Sequence, residues 1–212
     1  GNAYLGGMMQ TRRAALALLA AAAAFPARGQ AAAEPISLAL ITNYIRSIRT
    51  AETTFTQLNA DGTTSKGRLF IHRPNRVRFE YDPPEETLVL ASAGQVAIFD
   101  GKSSEMPEEY PLRRTPLNLI LGTNVDLRSE AMVVGHVSDG VSTTVVAQDP
   151  DHPEYGTIRL IFTDEPLTLR QWIVTDEYGN QTAVLLGDLV QGRQYPPSLF
   201  SIVTERNARQ RR

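Results

Sequence analysis

The sequence predicts a mainly β, α+β fold: a curled antiparallel sheet forming an incomplete β-barrel, covered by two or three short helices. Three observations predict it. From Thr53 onward, apolar residues recur with period two over short segments. About ten such strands follow one another through tight turns, which demands antiparallel pairing and not βαβ units. A single sheet of that width curls toward a barrel, and its concave face needs a cover. Only the segments near Ile41 and Ile120 have the apolar helical character to supply one.

The first element is an amphipathic helix. Leu38, Ile41, Ile45 and Ile48 recur at three- to four-residue spacing, and Ser37 is placed to cap them. Strands are predicted at Thr53–Leu58 and Gly67–Arg73, joined through the hairpin signal Asp61-Gly62. Arg76–Tyr81 alternates plainly, with Val77, Phe79 and Tyr81 on one face and Arg76, Arg78 and Glu80 on the other. Thr87–Ala91 and Val96–Phe99 follow, then an edge segment Ser104–Tyr110 that contains Pro107. Thr115–Gly122 reads as a short apolar helix, capped by Thr115, with Pro116 at its first position and Gly122 ending it. One more helical turn is expected at 124–130. Strands follow at Ala131–Val137, Val141–Ala147, Thr157–Thr163, Leu169–Thr175 and Gln181–Val190. Beyond Leu199–Val203 no element is expected.

The N-terminus stands apart from this body. Arg12 and Arg13 precede the uncharged apolar stretch Ala14–Phe25, and small residues run to Ala33. This is the pattern of a secretory signal peptide, too short to span a membrane. Residues 1–33 are therefore expected to be cleaved near Ala33, giving an exported protein; Met8 and Met9 both offer starts, so residues 1–8 can precede the true one. The paired arginines leave Sec and twin-arginine export open. The formal net charge of −2 hides an uneven distribution. Residues 34–205 hold 14 basic and 23 acidic residues, a net of −9, while Arg206, Arg209, Arg211 and Arg212 close the chain. The domain is expected to span 34–203, and 204–212 to be a basic disordered tail.

Composition narrows the chemistry. There are no cysteines, which removes disulfides, thiolate metal sites, a cysteine nucleophile and a lipid-modified cysteine. The balanced charge does not suggest a nucleic-acid binder. There is no GxSxG elbow, Gly-rich phosphate loop or HExxH motif. His72, His136 and His152 fall on separate elements, and the loop with Asp149, Asp151 and Glu154 lacks EF-hand spacing. The residues thus read as a binding protein without catalytic residues, metal or cofactor.

One series of motifs goes further. Phe55-Thr56-Gln57, Gly67-Arg68-Leu69, Arg73-Pro74-Asn75-Arg76-Val77-Arg78-Phe79, Pro84, Leu88–Leu90 and Thr115-Pro116-Leu117 occur in this order. The series resembles the periplasmic lipoprotein carriers of the LolA family, over roughly residues 38–190. The resemblance implies a half-barrel whose cavity holds the acyl chains of lipoproteins. It implies cargo taken from an ATP-driven inner-membrane release complex and passed to an outer-membrane receptor, by a protein expected to be a monomer. It also implies that Arg73 latches the lid from inside the barrel. By the same carry-over Leu69, Ile71, Val77, Phe79 and Tyr81 line the cavity, Leu117, Ile120 and Leu121 form the lid's apolar face, and Ile41, Ile45 and Ile48 are the share of the first helix. The family often has an aromatic at the position of Val77, a Trp at that of Phe79, and a longer C-terminal segment.

Two readings compete with the carrier. The same fold serves as an envelope sensor of stray lipoproteins, usually with a second domain that a body of this length does not accommodate. A periplasmic hydrolase is disfavoured by the missing nucleophile motifs. The lipid-anchored receptor of the same fold would need a cysteine.

Overall fold

The computed structural model describes residues 33–128 and 131–212. The predicted signal peptide lies, but for Ala33, outside the described residues. Among those residues, twelve strands form one antiparallel sheet: β1 Thr50–Leu58, β2 Thr64–His72, β3 Arg76–Tyr81, β4 Leu88–Ser92, β5 Gln95–Phe99, β6 Glu108–Pro111, β7 Val133–Ser138, β8 Ser142–Gln148, β9 Thr157–Thr163, β10 Thr168–Thr175, β11 Gln181–Leu186 and β12 Val190–Gln191. The order is β6-β5-β4-β3-β2-β1-β11-β10-β9-β8-β7, with β12 also on β1. Each half is a meander, and β1 against β11 zips the halves together, Phe55 opposite Leu186. β6 and β7 remain edges, so the sheet does not close.

The curl can be measured. Phe79 on β3 and Trp172 on β10 lie four strand spacings apart in the order, about 19 Å on a flat sheet. Their ring centres are 6.4 Å apart, edge to face. The concave faces of the two halves therefore enclose one core, which includes Leu69 and Val77 from one half and Leu160, Phe162 and Val184 from the other.

Helix α1, Leu38–Ser47, lies over this core with Ile41 and Ile45 buried. Ser37 caps it, its hydroxyl accepting the Leu40 N–H at 3.2 Å. Three side-chain bonds pin it in place. Tyr44 Oη accepts the Leu169 N–H at 3.0 Å, Thr42 Oγ1 accepts the Leu127 N–H at 3.1 Å, and Arg46 Nε donates to the Val125 carbonyl at 2.6 Å.

Helix α2, Asn118–Leu121, starts later than predicted. Thr115 does not cap it, because its hydroxyl donates to the Leu112 carbonyl at 2.8 Å and closes the preceding turn. Residues 123–128 form turns and no helical turn, and 129–130 lie outside the described residues. The long strand expected at 181–190 is broken at Gly187, where an added Cβ would sit 2.7 Å from Thr54 Oγ1.

The C-terminus corrects the expectation of a disordered tail. Pro197–Phe200 form a 3-10 turn and Ile202–Gln210 form helix α3, capped by Ser201 Oγ on the Thr204 N–H at 3.1 Å. This segment folds back over the outer face of β2–β5. Tyr195 and Phe200 pack on Phe70 and His72, and Ile202 joins Leu88, Leu90, Ala97 and Phe99 in a second core. The arginines become anchors. Arg209 stacks 4.9 Å from the Phe99 ring centre and donates to the Asp100 carbonyl at 2.6 Å, and Arg206 pairs with Glu109. No helix among the described residues is long and apolar enough to cross a membrane.

Candidate functional site: an apolar cavity under a helical lid

The alternation on β2 and β3 sends Leu69, Ile71, Val77 and Phe79 to the concave face. There they meet Ile45 and Ile48 from the end of α1 and Leu117, Ile120 and Leu121 from the α2 segment. These side chains line a cavity of about 40 Å³. Among the described residues, Arg73 is the only charged side chain on its wall.

Two predicted cavity residues stand elsewhere. Ile41 is fully buried in the core but does not line the cavity. Tyr81 is one residue pair too far along β3, and its ring packs edge to face on Phe55 at 5.2 Å. Its hydroxyl donates to Gln57 Oε1 at 2.7 Å, and burial pushes its pKa up to about 12. Phe55 also packs on Phe79, at 5.5 Å.

Three cavity residues escaped sequence reasoning: Leu160, Leu169 and Trp172. Leu160 could have been found from the alternation of Ile158, Leu160 and Phe162. Leu169 and Trp172 have opposite parity, so strict alternation cannot put both on one face. A register irregularity between Leu169 and Gln171 inserts the extra residue that does.

Arg73 stands at the corner between β2 and β3, where β2 reaches the lid. One terminal guanidinium nitrogen donates to the Ile120 carbonyl and the other to the Gly122 carbonyl, the latter at 2.8 Å. The Asn75 N–H donates to the Leu121 carbonyl at 2.9 Å. The last carbonyls of a helix have no intrahelical partner, and here the Arg73–Asn75 corner supplies one to three in succession. A cation at a helix C-terminus is also on the favourable end of the backbone dipoles. Burial, then the neighbouring Arg46 and Arg49 charges, lower the Arg73 pKa, but an arginine stays protonated.

A cleft of about 430 Å³ adjoins the cavity on the other side of Arg73, with Arg46 and Arg49 on its wall. A larger concavity, about 630 Å³, lies elsewhere, on the outer face beside α3. Its walls are mainly polar and include the ion pairs Arg78–Glu80 and Arg209–Glu205 at 2.7 and 2.9 Å. The histidines are occupied structurally: His72 packs on Phe200, His136 Nε2 is 2.8 Å from the Ile36 carbonyl and His152 pairs with Glu154. Asp149 Oδ1 accepts the N–H groups of Asp151 and His152 within its own turn.

An open antiparallel half-barrel with an apolar interior under a hydrogen-bonded helical lid defines the class of protein. The family described as outer membrane lipoprotein carrier protein LolA matches residues 46–203, and the chain belongs to that family. An outer-membrane lipoprotein carrier protein of Chromobacterium violaceum is 24% identical over 186 residues, 85% of this chain and 89% of that protein. One from Coxiella burnetii is 24% identical over 153 residues, 68% of this chain and 72% of the relative. A crystal structure of a LolA superfamily protein from Nitrosomonas europaea superposes with a TM-score of 0.41 at 10% identity, over 78% of this chain and 98% of that one.

Proposed function

We propose that the protein is a periplasmic carrier without catalytic activity that holds the acyl chains of lipoproteins in the cavity under its lid. It is exported with a signal peptide cleaved near Ala33. It takes cargo from an ATP-driven inner-membrane release complex, crosses the periplasm as a monomer and delivers to an outer-membrane receptor. The observation that carries this reading is the cavity itself: an apolar wall, one arginine, and a lid tied to that arginine through backbone carbonyls. Membership of the carrier family supports it.

The physical logic is transfer free energy. Each acyl methylene left in water costs about 0.8 kcal/mol relative to burial. A carrier must offer apolar surface to its cargo yet hide that surface when empty. The cavity of about 40 Å³ corresponds to the hidden state, since an acyl chain enters only if the lid segment moves away. In this role Arg73 is the latch of the empty form. Leu69, Ile71, Val77 and Phe79 are the floor, and Leu117, Ile120 and Leu121 are the movable roof.

The test is to purify the protein from periplasm, analyse it by native mass spectrometry with lipid extraction, and incubate it with lipoprotein-laden inner membranes. Acylated cargo bound in the first experiment, or lipoprotein released into solution in the second, is expected. Absence of both overturns the proposal.

A further inference from the structure

The cleft beside the cavity is lined by Arg46, Arg49, Arg73, Pro74, Thr123 and Asn124. Arg46 lies in the last turn of α1 and Arg49 two residues past its end, and the Arg73 N–H donates to the Arg49 carbonyl at 2.8 Å, which holds the two chain segments together. Among the described residues, none of the three arginines makes an ion pair. Asp126 is close enough to Arg46 to sense its charge, but Arg128 grips both its oxygens at 2.9 and 3.1 Å. Within a folded domain that holds 18 basic and 23 acidic residues over 34–212, a net of −5, this is a local concentration of unneutralised cations in a concave site. Like charges held together cost Coulomb energy that a bound anion repays.

We propose that this cleft binds the phosphate head of an anionic lipid whose acyl chain occupies the adjoining apolar cavity. The inference rests on the reading of that cavity as an acyl site. Its geometric basis is that Arg73 forms part of the wall of both spaces, so an apolar chain and an anionic head can sit on either side of one guanidinium. Free phosphate or an acidic peptide would use only the cleft. Guanidinium groups present planar forks of donors that match phosphate oxygens, and such charge-assisted bonds are the strong ones. A phosphate also offers Arg73 a charged acceptor in competition with the lid carbonyls, so head-group binding and lid release are coupled through this side chain. The acyl-bearing end of a lipoprotein has no phosphate, so this is a ligand class distinct from the proposed cargo.

The test compares lysophosphatidylglycerol with a monoacylglycerol of the same chain, both below their micelle concentrations, using Trp172 emission of the whole protein as readout. The phospholipid is expected to bind about tenfold more tightly, with the preference shrinking at high salt. R46Q/R49Q is expected to bind the two lipids equally, and R49Q, which leaves the Arg46–Val125 bond intact, to fall between. Equal binding by the unmodified protein, or a preference that survives R46Q/R49Q, overturns the inference while leaving the acyl cavity in place. Glycerol phosphate binding as tightly as the lysolipid assigns the cleft to a free phosphate and also overturns it. Binding of neither lipid overturns the acyl-cavity reading as well.

Discussion

Replacing Arg73 with Ala is expected to loosen the lid by an amount that can be worked out from its bonds. The side chain donates to the carbonyls of Ile120 and Gly122, at the end of a four-residue helix with little intrinsic stability of its own. A hydrogen bond to a charged group contributes about 1.5–3 kcal/mol when well buried. Arg73 is only half-buried and borders an open cleft, so water replaces part of what is lost, and about 2 kcal/mol is expected for the pair. At 1.4 kcal/mol per factor of ten, the lid should open about 30 times more often. Hydrogen exchange reads this directly at Leu119, Ile120 and Leu121, whose N–H groups donate to the carbonyls of Pro116 and Leu117. Their protection should drop about 30-fold while the β3 amides keep theirs. Arg73→Lys keeps the charge but not the fork of two parallel donors, and should lose only about tenfold. Unchanged lid protection in a folded Arg73→Ala protein would refute the latch, and Lys matching Arg would refute the importance of the fork.

Other outcomes follow from the same geometry. Trp172, the one tryptophan of the chain, lies on the cavity wall, so acyl chains brominated near their middle should quench its fluorescence, and head-group bromination should not. Gly67→Ala would place a Cβ 2.0 Å from the Glu80 carbonyl oxygen, breaking the β2–β3 ladder beside the cavity; a loss of more than about 3 kcal/mol in denaturant unfolding is expected. Tyr81 retains its proton to about pH 12 when folded against about 10 in a free phenol. A raised acid pKa means the folded state holds the proton longer, so stability is full below pH 10 and falls as pH rises from there to 12. Tyr81→Phe should remove that part of the alkaline loss, measured as melting temperature against pH. Ile202→Ala should cost about 2 kcal/mol through the outer-face core, without changing lid protection.

The parts of the fold legible in the sequence are those governed by one face. Helix α1 has a single apolar stripe and a serine cap, and β3 alternates without exception, so both could be placed to within a residue or two. The cavity floor was implied by the family resemblance, and the β2–β3 register puts Val77 opposite Ile71 and Phe79 opposite Leu69, while Tyr81, of the same parity, falls outside it. What could not be read were features decided by two faces or by a break in period. Helix α3 is polar and rich in arginine, and only Ile202 is buried in it, so by itself it resembles a solvated tail. Its signal lay in its partners: Leu88-Val89-Leu90-Ala91 and Val96-Ala97-Ile98-Phe99 are apolar at both parities, the mark of strands covered on both sides. Leu169 and Trp172 were hidden by the irregularity in β10, and the start of α2 by a hydroxyl already committed to the turn before it.

On the proposed function, the energetics explain why the lid is held by an arginine and two carbonyls and not by packing alone. Opening exposes Leu117, Ile120 and Leu121, which costs on the order of 5 kcal/mol or more at about 1.5–3 kcal/mol per fully buried side chain. A sixteen-carbon chain taking their place recovers about 12 kcal/mol at about 0.8 kcal/mol per methylene. Cargo therefore wins over the closed lid, but by a margin that a larger apolar roof would erase, and that roof would equally obstruct loading. A latch worth about 2 kcal/mol adds closure without adding apolar area to be wetted on opening, because the freed carbonyls and guanidinium are all readily hydrated. Its weight falls on the return step: it favours expulsion of the chain once a receptor offers an alternative. Arg73→Ala should therefore tighten cargo retention and slow handover while leaving uptake intact. A variant that loads poorly instead would place Arg73 in cargo recognition and remove it from the closing of the lid.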